Sequence, residues 1–228
     1  MRIIFVRHGH PNYRQDCLTE MGHLHAEAAA ERLKDEPIRR ICASSHGRAV
    51  ETAEHIAARH GLPVEKYDFI REIGWGSIDG EPVPHKGHPW TIIDEWIASG
   101  RSLMNPGWAQ EDEFRRNQVV GFVERIGAGM DEWLSMLGYD REGDLYRVRE
   151  KNDDTVVLAS HAGASCAAMA RMFNLPFPFA LYSISASYTA VTIVKLEGET
   201  GALTAPRFEL MNDDRHIRGI EVQNVFGR

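Results

Sequence analysis

Ile3-Ile4-Phe5-Val6-Arg7-His8-Gly9 decides how this chain folds. Four apolar residues in succession fit a short buried strand. The strand gives way at once to Arg7-His8-Gly9, a charged, glycine-bearing segment that reads as loop. A second segment repeats the plan: Val156-Val157-Leu158-Ala159 runs straight into Ser160-His161-Ala162-Gly163. In open α/β sheets, ligands bind in the crevice at the carboxyl ends of the strands. Both histidines are therefore expected to project into one crevice.

The segments around these two supply the remaining layers. Ile38 to Ala43 reads as another strand. Ser44-Ser45 then precede a helix over 47–60, whose Ala49, Ala53, Ile56 and Ala57 share one face. Gly61 and Pro63 stop it. Thr19 is placed to cap a helix through Leu33, with Glu20 in its first turn. A long helix is expected over 112–137, with Phe122, Ile126, Met130, Trp133 and Leu137 as its apolar stripe. Gly127 and Gly129 weaken that helix by about 1 kcal/mol each. A small-residue helix follows His161 to about Phe173, and 189–194 and 208–211 read as further strands. Strands alternating with helices imply a three-layer α/β/α fold with a mostly parallel sheet. Residues 74–108 are rich in Gly, Pro and Trp without a period. They read as an irregular insertion with one short helix near Trp90 to Ala98, and 79–110 as a lid. Residues 139–154 suit an exposed hairpin or loop. At 228 residues, one domain over 1–228 is the default.

Composition narrows the function classes. The net charge is -7 and the isoelectric point about 5.9, which argues against a general affinity for nucleic acid or an anionic membrane. An anionic substrate would have to be met by local positive charge. Cys17, Cys42 and Cys166 form no disulfide framework and suit a reducing compartment. The four apolar residues near the N-terminus are too few for a signal sequence. A cytoplasmic protein is expected, with a homodimer admissible.

Local positive charge is available. Arg48 falls in the first turn of its helix, where free N–H groups and the helix dipole already favour an anion. Two arginines and two histidines converging there would form a dianion site without a metal or cofactor. Arg7-His8-Gly9, Leu18-Thr19-Glu20-Met21-Gly22, Ala43-Ser44-Ser45 with Arg48, Glu51, Thr52 and Ala53, and Ser160-His161-Ala162-Gly163 together resemble the histidine phosphatase superfamily. The closer likeness is to its phosphoglycerate-mutase-like branch, over residues 1 to about 216.

The resemblance implies specific roles. His8 would be the nucleophile, and Arg7, Arg48, His161 and the Ala162 segment would hold the phosphoryl oxygens. Ile70 to Gly76 is similar to the family segment bearing the general acid, which points to Glu72. Glu81 and Asp79 are the nearby alternatives. Relatives often set an asparagine against the phosphate in the loop after Arg-His-Gly, and Asn12 is the candidate here. This sequence departs in carrying His10-Pro11 after that motif and a short loop to Cys17. No metal is implied. His85 and His88 have H-x-x-H spacing but lack a third ligand, and Trp75, Trp90, Trp96 and Trp108 read as packing for the insertion.

The expected activity is a phosphomonoesterase acting on a small phosphorylated metabolite through a phosphohistidine. The alternative within the same chemistry is a cofactor-dependent mutase, for which Lys86, Arg101, Arg115 and Arg116 would have to bind a carboxylate. A non-catalytic phosphate-binding module and a metal hydrolase built on the histidines are the other classes.

Overall fold

The computed structural model describes residues 1–220, so 221–228 of the expected domain lie outside the described residues. In chain order the strands are β1 (Arg2–Arg7), β2 (Pro11–Asn12), β3 (Cys17–Leu18), β4 (Ile38–Ser44), β5 (Val64–Tyr67), β6 (Tyr139–Glu142), β7 (Leu145–Val148), β8 (Thr155–Ser160), β9 (Val191–Lys195), β10 (Leu203–Thr204) and β11 (Arg207–Asp213). The helices are α1 (Glu20–Leu33), α2 (Gly47–His60), α3 (Pro89–Ala98), α4 (Gln118–Met136), α5 (Ala162–Phe173) and α6 (Phe177–Ser183).

The main sheet has the order β11-β9-β1-β8-β4-β5. β1, β8, β4 and β5 run parallel, while β9 and β11 add an antiparallel edge. Side chains alternate across β1, as the period of a strand requires. Ile4 and Val6 pack with Leu33, Ala53 and Ile56 beneath α1 and α2. Ile3 and Phe5 pack on the other face with Ile126, Met130 and Trp133 of α4 and Ala164 of α5. The expected α/β/α layering is therefore present. β1 and β8 are neighbours in register, with Arg7 opposite Ser160. The His8 N–H donates to the Ser160 carbonyl at 2.9 Å. The two histidine loops thus leave the same edge of the sheet side by side.

Several expectations need correction. The helix expected from 112 starts at Gln118, because Asn117 caps it: its Oδ1 accepts the Val119 N–H at 3.1 Å. The same side chain donates to the Gly87 carbonyl at 2.8 Å, tying the insertion to α4. Arg115 and Arg116 lie in the preceding turn, paired with Asp112 at 3.1 Å and Asp79 at 2.8 Å. The 139–154 segment contains the β6–β7 hairpin, which joins β10 in a second sheet. Its Tyr139, Tyr146 and Val148 are buried, so it is part of the core rather than solvated surface alone. The strand expected from Thr189 begins at Val191. Thr189 itself has a φ of 50° and donates its N–H to the Arg7 carbonyl at 3.0 Å. β5 and α6 had no clear signal in the sequence.

The insertion contains α3, close to the helix expected there. Trp96 and Trp108 are buried edge-on against Phe114, at 5.3 and 5.1 Å between centroids, which is the packing role expected of them. Trp75 is exposed. His85 pairs with Glu95 at 2.7 Å, and the His88 side chain caps α3 through the Thr91 N–H.

Candidate active site

The geometry starts from glycines that allow three elements to meet. A Cβ on Gly9 would sit 2.4 Å from the Gly22 carbonyl oxygen, so the loop after β1 packs directly on the start of α1. A Cβ on Gly163 would sit 2.4 Å from the Ile73 side chain and 2.9 Å from the Glu72 carboxylate, so a larger residue there would force one of these side chains to move. Thr52 links the first and second junctions. Its Oγ1 accepts the Gly9 N–H at 3.1 Å and donates to the Arg48 carbonyl at 2.8 Å.

Around these contacts His8, Arg7, Arg48 and His161 come together, all buried. The His8 and His161 rings are 5.1 Å apart. The Nδ1 of His8 lies 2.7 Å from the Gly9 carbonyl oxygen, which can only accept. Nδ1 therefore carries the proton, and Nε2 keeps its lone pair. Burial, aided by the charges of Arg7 and Arg48, holds His8 well below its usual 6.5. His161 is held low in the same way, by burial first and then by His8 and Arg48. Its Nε2 is 2.8 Å from the Ser44 hydroxyl.

The arginines are fixed from behind. Arg7 donates from Nη1 to the Ala186 carbonyl at 2.8 Å, and its guanidinium lies 4.4 Å over the Tyr188 ring. Arg48 pairs through Nη1 with Asp16. Among the described residues, Nε of Arg7, Nε of Arg48 and Nδ1 of His161 are buried without a hydrogen-bond partner in the protein. Such donors are costly to leave unmatched, and an anion with several acceptor oxygens would satisfy them. Ala162 opens α5, where the first amides have no acceptor within the helix.

Glu72 is part-buried, and its Oε1 accepts the N–H groups of Ile73 at 3.0 Å and Ala164 at 2.9 Å. Burial pushes its carboxyl up, and this outweighs the opposing pull of those two N–H groups and of Arg7 and Arg48. A cavity of about 720 Å³ opens beside it, lined by His46, Arg71, Glu72, Gly74, Phe122 and Arg125. Asp79, one alternative acid, is instead held below the usual carboxylate range by Ser77, the Glu81 N–H and Arg116.

Asn12 is not used as expected. Its Oδ1 accepts from the Arg14 and Gln15 N–H groups, and its Nδ2 donates to the Gln15 side chain, so it closes the β2–β3 turn. The same hairpin supplies residues that sequence reading missed. Asp16 reaches Arg48, and Tyr13 stands edge-on to His8 at 6.5 Å between centroids. His46 lies 5.1 Å from the His161 ring, and Tyr188 backs Arg7. The signal for Asp16 and His46 was their position, one in the short loop after Arg-His-Gly and the other just before Arg48. Their pairing across 30 residues is visible only in three dimensions.

No curated protein sequence matches the chain. Among solved structures, a mycobacterial glucosyl-3-phosphoglycerate phosphatase is similar at 23% identity and a TM-score of 0.63, covering 92% of this chain and 98% of that one. A phosphoserine phosphatase mutant from Entamoeba histolytica is similar at 18% identity and 0.63, covering 95% and 98%. An Escherichia coli protein described as a putative alpha-ribazole-5'-P phosphatase is similar at 16% identity and 0.60, covering 94% and 98%. At these identities the likeness concerns the fold. A family model matches residues 3–138, the stretch that carries His8, Arg48 and Glu72, and on that match the chain belongs to the histidine phosphatase superfamily, branch 1.

Proposed function

We propose that this protein is a phosphomonoesterase that hydrolyses a small phosphorylated metabolite through a phosphohistidine on His8. The observation that carries the reading is the hydrogen bond between His8 Nδ1 and the Gly9 carbonyl, in a ring kept neutral by burial. It leaves Nε2 as a nucleophile beside two arginines. Nε2 attacks phosphorus, and the bond to the alcohol oxygen breaks. Glu72, whose carboxyl burial raises above its usual value, gives its proton to that oxygen. Arg7, Arg48 and His161 stabilise the charge spread over the transferring oxygens. Ser44 accepts the His46 N–H at 3.3 Å and so has its own proton available for His161 Nε2, leaving Nδ1–H to face the phosphoryl group. In the second step Glu72 takes a proton from water, which attacks the phosphohistidine and releases phosphate.

Hydrolysis is favoured over a mutase by the state of three of the four basic residues that a mutase would need, Arg101, Arg115 and Arg116. Arg101 pairs with Glu111 at 2.7 Å and Glu113 at 2.6 Å, and Arg115 and Arg116 are paired as described. The alcohol portion of the substrate is assigned to the cavity beside Glu72, which is large enough for a small metabolite. The 79–110 insertion is proposed as the lid, and the cytoplasm as the setting. The test is a phosphate-release screen over a metabolite panel, with mass spectrometry of the enzyme quenched in alkaline denaturant. Wild type should show an acid-labile phosphoryl adduct on His8, and folded His8→Ala should show neither adduct nor turnover. Substantial turnover by folded His8→Ala would refute the covalent route.

A further inference from the structure

The β2–β3 hairpin places one carboxylate against three donors at the base of the site. Asp16 Oδ1 accepts from Arg48 Nη1, while Oδ2 accepts from the Gly47 N–H at 2.9 Å and faces His46 Nδ1 at 3.1 Å. The contact reaches the backbone as well: a Cβ on Gly47 would sit 2.1 Å from the Asp16 carbonyl oxygen. Hairpin and helix start are thus in direct apposition. Tyr13 from the same hairpin lies 5.4 Å from the Arg48 guanidinium, on its ring face.

We propose that Asp16 is a positioning residue, whose carboxylate braces Arg48 and His46 against the start of α2 so that the rest of the guanidinium faces the phosphoryl group. A planar guanidinium offers five N–H donors in a fixed fork, so holding one nitrogen aims the others. Asp16 engages only Nη1, and the buried Nε has no partner in the protein. A carboxylate that merely stood in for substrate would be expected to take the inward edge of the fork. The three donors also offset the charge of Asp16, which limits its repulsion of an incoming dianion. His46 gains by the same contact: with Nδ1 turned to Asp16, its Nε2 faces Arg71 Nε at 3.5 Å on the wall of the leaving-group cavity. The hairpin is therefore part of the phosphate site through Asp16, where the sequence had suggested Asn12.

The inference rests on the phosphatase reading for the identity of the anion, and a binding measurement separates the two. Affinity for inorganic phosphate and orthovanadate is measured by calorimetry on folded wild type, Asp16→Ala, Asp16→Asn, Arg48→Ala and the double variant Asp16→Ala/Arg48→Ala. Asp16→Ala should weaken phosphate binding on the order of tenfold, within the range of coupling between residues of one hydrogen-bonded network. Asp16→Asn, which keeps one acceptor oxygen, should fall between, and it carries the test if the alanine variant does not fold. In the Arg48→Ala background the same Asp16 change should alter affinity by less than about twofold, because the group being aimed is gone. A merely structural role would weaken both backgrounds equally and would overturn the brace. Tighter phosphate binding by Asp16→Ala would overturn it too, making Asp16 a competing internal anion. Failure of wild type to bind either anion would remove the phosphate site itself, and the brace with it.

Discussion

Glu72→Gln separates chemistry from architecture at this site. Glutamine keeps the volume and an Oε1, so both N–H donors, from Ile73 at 3.0 Å and Ala164 at 2.9 Å, retain their acceptor. What is lost is the proton. General acid catalysis is typically worth about 10²–10⁴-fold. An alkyl phosphate leaves as a basic alkoxide and should lose that factor, whereas an aryl phosphate leaves as a stabilised anion and should lose little. The ratio of the two effects should exceed about tenfold in single-turnover phosphorylation of His8. The same substitution has a predictable effect on stability. The folded protein raises the Glu72 carboxyl above 4.5, so it binds more protons than the unfolded chain and loses stability as pH rises through that window. The variant lacks this loss. Its Tm should match wild type below about pH 4.5 and exceed it at neutral pH, with each ~1 kcal/mol appearing as about 2–4 °C for a chain of this size. Equal slowing of both substrate classes would refute Glu72 as the acid and direct the search to Glu81. A lower Tm at neutral pH would refute the burial argument.

Gly9→Ala should destabilise the fold by about 1–3 kcal/mol, as overpacking does, because its Cβ would meet the Gly22 carbonyl oxygen; denaturant melts would show this, and an unchanged midpoint would contradict the close approach. His8 and His161 stay neutral in the folded protein while the unfolded chain protonates them near 6.5. Their contribution to stability is intact above that pH and is lost as pH falls below it. The slope is at most about 1.4 kcal/mol per pH unit for each group. His161→Asn should flatten the slope by one such share in melts between pH 6.5 and 5, and an unaltered slope would argue against the buried neutral ring.

The apolar runs before His8 and His161 were legible because a buried strand leaves a continuous hydrophobic signature. The helices after Thr19 and Ser45 were legible because capping and one-sided apolar spacing are local. Arg7, His8, Arg48 and His161, at strand ends and a helix start, followed from the rule that such edges gather at one side of a parallel sheet, and from the resemblance their motifs carry. Other features depended on partners remote in sequence. The start of α4 hinged on Asn117, whose amide also reaches Gly87 in the insertion. The β6–β7 hairpin looked polar because its few buried residues, Tyr139, Tyr146 and Val148, matter only once they join the core cluster with Ile126, Met130 and Trp133 of α4. Asn12 and Asp16 sit in the same short loop with similar side chains. Hairpin geometry alone turns the first back on its own turn and the second onto Arg48. The elevation of the Glu72 carboxyl likewise belongs to the tertiary structure, since burial arises only when α5 closes over the 70–74 loop at Gly163. Local sequence thus set the elements and their order, and long-range packing decided which polar groups lost water and which found one another.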